Sequence, residues 1–158
     1  MKLLRRGHRI SPETEFSSTF PCVTTARRHR VSLRVRFSET DAMGVANNGV
    51  YLAWLEIARI EYLRALGHSY RDVHDSGIDL VVAEATVRYL KPLGFDDEFE
   101  IDCGCAEITR ATVTFDYELV SAAGVHARAS TRHACVNREL MRPVRLPEWL
   151  REIVTETS

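Results

Sequence analysis

No run of about 18 consecutive apolar residues occurs in this 158-residue chain, so no segment has the composition of a membrane-spanning helix. The N-terminus also lacks the apolar core of a secretory signal, which makes a cytoplasmic address the default expectation. Cysteine is scarce: Cys22, Cys103, Cys105 and Cys135 form no CxxC pair and have no His-Cys cluster at ligand spacing. That argues against a zinc ribbon or a dithiol redox centre, and it predicts reduced thiols acting as small hydrophobes. Lysine is almost missing, with Lys2 and Lys91 alone among 21 basic residues. Residues 1–30 carry a net charge of +5 and leave −6 on the remainder. A mildly acidic body lacks the clustered basic surface that nucleic-acid binding needs.

Residues 1–30 are Arg-rich with scattered Ser and Thr, which overlaps in composition with organelle transit peptides, although Glu13 and Glu15 count against one. They are read as a disordered or leader segment ahead of a single domain over residues 31–158. Within that domain, Val31, Leu33, Val35 and Phe37 alternate with Ser32, Arg34 and Arg36, the pattern of a half-buried strand. Residues 50–66 then run without Gly or Pro and end before Gly67, which predicts a long helix. Its residues are apolar nearly all round, so burial on most of its sides is expected. A short helix near 69–76 follows, and from residue 80 the period changes to two.

Four strands are predicted, over Leu80–Lys91, Glu98–Ile108, Thr112–Val120 and Val125–Asn137, and Pro147 opens a short terminal helix. Cys103 and Cys105 share the inward face of their strand. One helix followed by consecutive strands without βαβ alternation is the order of an α+β fold. The economical arrangement is a five-stranded antiparallel sheet curled around the long helix.

The junction over residues 37–62 is where the chemistry is expected. Asp41 opens a tight turn closed by Gly44, and Asn48 stands where the helix begins, among backbone N–H groups that the helix leaves unpaired. A carboxylate and a helix N-terminus facing one space suit attack on a polarised carbonyl. The same residues also have purely structural readings, Asp41 as a turn former and Asn47 or Asn48 as a helix cap.

The segment Asp41-Ala-Met-Gly-Val-Ala-Asn-Asn-Gly-Val-Tyr51, followed by Glu56-Ile-Ala-Arg59, Arg88-Tyr-Leu-Lys-Pro92 and Asp96-Asp97-Glu98, resembles the hotdog-fold acyl-CoA thioesterases of the 4-hydroxybenzoyl-CoA thioesterase-like branch. The likeness spans about residues 31–146. It implies hydrolysis of acyl-CoA by a homodimer whose sheets join edge to edge, often paired into tetramers, with active sites at the subunit interface. Asp41 matches the catalytic carboxylate, and the backbone N–H of Asn48 matches the group that polarises the thioester carbonyl. Gly44, Asn47 and Tyr51 are expected to contact substrate. Some relatives carry His at the position of Val45 or of Asn48, and this chain has neither.

A thioester makes modest demands, because a leaving thiol with a pKa of about 8.5 needs little acid assistance. Asp41 would then deprotonate water or attack directly to give an anhydride, with the general-base route preferred; as a base it needs burial to raise its pKa. Arg88, Lys91 and Arg110 are candidate contacts for CoA phosphates. Glu84 is read as a structural or pocket-edge residue. No cofactor is expected beyond the CoA of the substrate, and His68, His74, His126 and His133 lack partners at metal-ligand spacing. Two alternatives are an acyl-carrier-protein thioesterase that releases fatty or polyketide chains and a non-catalytic acyl-CoA-binding module. Enoyl-CoA hydration calls for an Asp and His pair that is not evident.

Overall fold

A computed structural model describes residues 27–155, with side chains through Glu152. Cys22 and the expected leader up to residue 26 lie outside the described residues. The elements are β1 (Arg28–Arg34), α1 (Val50–Ala65), α2 (Tyr70–Asp75), β2 (Ile78–Tyr89), β3 (Glu98–Ile108), β4 (Thr112–Ser121), β5 (Gly124–Asn137), β6 (Arg142–Pro143) and α3 (Glu148–Thr155). The main strands pair antiparallel in the order β1-β3-β4-β5-β2, and the two-residue β6 adds to β5.

β1 starts three residues earlier than the apolar alternation predicts. Arg28 is not a leader residue but a sheet residue: its guanidinium reaches Asp102 at 2.7 Å and Asp116 at 3.0 Å on the outer face. It crosses Gly104 to do so, and a Cβ built there would stand 2.8 Å from Arg28 Nη1. At the other end, Phe37 does not point inward. The N–H of Val35 bonds to Asp97 O, and the Arg36 N–H bonds to Glu39 Oε2, which turns the chain into a 3-10 helix over Phe37–Glu39. Phe37 is left 77% exposed, edge-on to Phe95.

α1 lies across the concave face of the sheet. Tyr51, Trp54, Leu55, Ala58, Tyr62 and Leu63 recur at helical spacing and are buried. Trp54 packs 4.7 Å from the Phe99 ring, and Tyr62 packs 5.8 Å from Phe115. Cys103, Cys105 and Cys135 are buried free thiols, and burial raises the pKa of each. The helix is not covered on most sides, however. Leu52 (48% exposed) and Ile57 (37%) are left uncovered, and β2 from Val82 to Thr86 is exposed along its length. One chain supplies a single sheet, and a single sheet covers one side of a helix.

A polar chain runs through this apolar core. The His133 ring Nε2 lies 2.9 Å from Thr131 Oγ1, which lies 2.8 Å from the Tyr117 hydroxyl. Nδ1 lies 3.4 Å from the Leu80 carbonyl. With the proton on Nδ1 every group is satisfied: Tyr117 donates to Thr131, Thr131 to Nε2, and Nδ1–H to the carbonyl. Burial, with the nearby charge of Arg59, lowers the His133 pKa to about 4.

Between that value and the ordinary 6.5 the unfolded chain binds a proton that the folded chain refuses. The neutral histidine therefore favours the fold fully above pH 6.5, and the contribution is lost as pH falls toward 4. The difference is worth roughly 3 kcal/mol. Denaturant unfolding followed across pH 4–7 should show a smaller loss of stability for His133→Gln than for the parent. Parallel pH profiles would overturn the assignment.

Candidate active site

The expected turn forms, and its hydrogen bonds explain the residues. Gly44 N–H donates to the Asp41 carbonyl at 2.9 Å, with Gly44 at φ +75°, a conformation that favours glycine. Asp41 N–H donates to Val45 O at 2.9 Å, and Met43 N–H donates to Asp41 Oδ1 at 2.8 Å. One carboxylate oxygen is thus held by its own turn, leaving Oδ2 for other partners. Ala46 N–H bonds to Leu93 O at 2.7 Å, so the loop is stitched to the segment after β2. Asp41 itself is exposed in the single chain.

Two similar residues divide the helix start between them. Asn47 builds the turn ahead of the helix, whose N-cap is Gly49: its Oδ1 accepts from Gly49 N–H at 2.8 Å and its carbonyl from Val50 N–H at 3.0 Å. Asn47 N–H goes to Glu39 O at 2.8 Å. The N–H of Asn48 has no acceptor among the described residues, while its carbonyl accepts from the Tyr89 hydroxyl at 2.9 Å. A small cavity of about 230 Å³ opens beside it, walled by Val45, Ala46, Tyr51, Tyr89, Lys91 and Pro92. Tyr51 is 3% exposed, its ring 4.9 Å from Tyr89, and burial raises its phenol pKa so that it stays protonated.

The candidate phosphate contacts are not brought together in the chain. Lys91 lines the cavity and reaches the Ala123 carbonyl at 2.6 Å. Arg88 lies on the outer face of β2, directly across from Arg128. Arg110 sits in the β3–β4 turn, at the opposite end of the sheet from the β4–β5 turn that Lys91 touches. Glu84 is on the outer face and pairs with Arg132 at 2.6 Å.

Three supporting residues escape sequence reasoning. Glu39 accepts the Trp54 indole N–H at 3.2 Å and the Arg36 N–H at 2.8 Å. Tyr89 steadies the Asn48 carbonyl, and only its place in the alternation of β2 hints at an inward ring. His126 is buried between Ser121 Oγ (2.7 Å from Nε2) and the Pro92 carbonyl (3.1 Å from Nδ1), which ties the cavity wall to β5. Among the described residues no group of three or more His, Cys, Asp or Glu is placed to hold a metal ion. No described helix is long and apolar enough to cross a membrane.

The sequence profile of the Thioesterase-like superfamily matches residues 35–154, which include the turn, the helix start and the cavity wall. An acyl-CoA thioesterase of Haemophilus influenzae, YbgC, is 30% identical over 73% of this chain and 86% of its own. The chloroplastic acyl-acyl carrier protein thioesterase ATL3 of Arabidopsis thaliana is 30% identical over 78% of this chain and 65% of its own. A solved structure from Aquifex aeolicus superposes with a TM-score of 0.76 at 34% identity, covering 80% of this chain and 99% of the other. The curled sheet around α1 is the hotdog architecture, and the chain belongs to the Thioesterase-like superfamily.

Proposed function

We propose that this chain hydrolyses acyl-CoA thioesters to the free acid and CoA at the junction of the Asp41 turn and α1. The observation that carries the reading is the unengaged N–H of Asn48, held beside a cavity and seven residues from a carboxylate with one free oxygen. A thioester carbonyl oxygen that accepts from this N–H develops its negative charge against a fixed donor, which is worth about 3–4 kcal/mol of transition-state stabilisation. Asp41 Oδ2 takes a proton from water as the water oxygen bonds to the carbonyl carbon. Collapse of the tetrahedral intermediate breaks the C–S bond, and the thiolate of CoA leaves without needing an acid. Lys91, at the cavity edge, is the residue best placed to meet a CoA phosphate.

Two features support completion of this site by a second copy. β2 is a twelve-residue edge strand with exposed Val82–Thr86, a free edge of the kind proteins cover or pair. On α1, Leu52 faces β2 across a cavity and Ile57 lies on the outward side, both apolar and exposed. Pairing of two β2 edges would cover both and would enclose the exposed Asp41 loop. The likeness to ATL3 favours an acyl carrier protein as the second reading of the acyl donor; rates on CoA and carrier-protein substrates with the same acyl group separate the two.

Asp41→Asn keeps the oxygen that caps Met43, so the unfolding midpoint should stay put while kcat/KM falls by roughly 10²–10⁴-fold. Undiminished turnover would reject the role of Asp41. Single turnover in heavy-oxygen water tests the route: label in the released acid alone fits the general base, and label in Asp41 fits an anhydride.

Light scattering at micromolar concentration should return a dimer or a multiple of it, and Ile57→Glu should shift the mass toward a monomer with reduced activity. A monomeric parent that is fully active would overturn the shared site.

A further inference from the structure

A second cavity, of about 380 Å³, lies farther along α1, between that helix and β2. It shares its walls' elements with the first. Leu52, Glu56 and Arg59 follow one another at the spacing of one helix face, and Asn48 stands two residues ahead of that helix. On the strand, the irregularity between Val82 and Glu84 returns Val82 to the face that Ala85 and Tyr89 occupy. One face of helix and one face of strand therefore lead from the Asn48 N–H to Arg59.

Arg59 is 5% exposed, and its Nη1 has no hydrogen-bond acceptor among the described residues. The Tyr70 ring 5.4 Å from its guanidinium carbon gives the charge a cation–π contact but no acceptor oxygen. Tyr117, Thr131 and His133, which also line the cavity, satisfy one another. Glu56 is exposed and leaves Nη1 unpaired. Burying a cation without an anionic partner is costly, and the rest of this lining is chiefly apolar. Eleven residues at ~1.5 Å each separate Asn48 from Arg59 along the helix, and a side chain leaning toward the helix N-terminus shortens the ~16 Å to ~10 Å.

We propose that this cavity receives the acyl chain and that Arg59 binds a carboxylate at its far end, so that the preferred substrates are ω-carboxyacyl thioesters. The inference rests on thioester hydrolysis at Asn48. The carboxylate would accept charge-assisted hydrogen bonds from the guanidinium while its methylene chain lies against Leu52 and Val82. Straight acyl chains would fill the same space and leave Nη1 unpaired.

The test compares kcat/KM for CoA thioesters of about six to ten carbons, each length with a methyl, a hydroxyl or a carboxylate terminus. The parent protein should favour the carboxylate over the methyl terminus by about tenfold or more at the best length. Arg59→Met should reduce that ratio to about one while retaining turnover of the methyl series, and Arg59→Lys should restore part of it. Folding of each variant is checked by its unfolding midpoint. Binding of the carboxylate and methyl series to Asp41→Asn, followed by calorimetry, should show the same Arg59-dependent preference. Equal rates for the three termini, a preference for the hydroxyl, or a carboxylate preference that survives Arg59→Met would overturn the proposal. Absence of turnover on the whole panel, with binding preference intact, would instead count against the hydrolytic reading.

Discussion

The hydrogen bond from the Trp54 indole to Glu39 holds the working end of this molecule together. Trp54 is fixed from below, where its ring packs on Phe99 of β3 and on Tyr51 of its own helix. Glu39 is fixed in turn by the Arg36 N–H, and its carbonyl takes the N–H of Asn47, the residue whose turn leads into α1. One chain of contacts thus runs from the sheet, through the helix, to the loop that carries Asp41. The Asn48 amide is left unpaired because its neighbours are paired: Asn47 collects the N–H groups of Gly49 and Val50 and gives its own away. Core packing and the reactive geometry are consequences of the same few bonds.

The other organising constraint is a shortage of cover. Burial of an aliphatic side chain is worth about 1.5–3 kcal/mol, and α1 spends its best residues on the sheet side. The residues that remain, Leu52 and Ile57, are still apolar, and β2 beside them keeps an unpaired edge. Leu52 and the β2 edge border the flank that leads from Asn48 to Arg59, and Ile57 lies on the outward side of the helix. A fold built from one sheet and one helix cannot close that flank, so stability and substrate enclosure are both sought from the same surface.

Much of this was legible because it depends on period and punctuation. The limits of β3 and α1 follow from strict alternation and from the long run without Gly or Pro, and Asp41 and Gly44 announce their turn by residue type. What escaped depends on partners distant in sequence. Arg28 reads as one more charge in a basic leader until Asp102 and Asp116 are placed across Gly104. Phe37 continues an apolar alternation, yet the chain leaves the sheet two residues before it because Glu39 offers Arg36 a different bond. Asn47 and Asn48 are equivalent as capping types, yet Gly49 takes the N-cap position, and only the turn geometry gives the turn bonds to Asn47 and the free amide to Asn48. The helix composition predicted burial on most sides, and within one chain only the sheet-facing side is buried.

The missing imidazoles at positions 45 and 48 constrain the chemistry more than they weaken it. Neither buried histidine on the sheet is free to take their place: His126 has both ring nitrogens engaged, and His133 is held neutral inside the Tyr117–Thr131 chain. What remains beside the cavity is a backbone amide, a protonated tyrosine and a lysine, with the Asp41 carboxylate, one oxygen tied to Met43, in the preceding turn. That set can supply a donor to an oxyanion and an acceptor for the proton of an attacking water. A thiolate leaves without needing an acid, whereas an alkoxide or an amine leaves with far more difficulty. The proposed thioester chemistry therefore asks less of these residues than hydrolysis of an oxygen ester or an amide would.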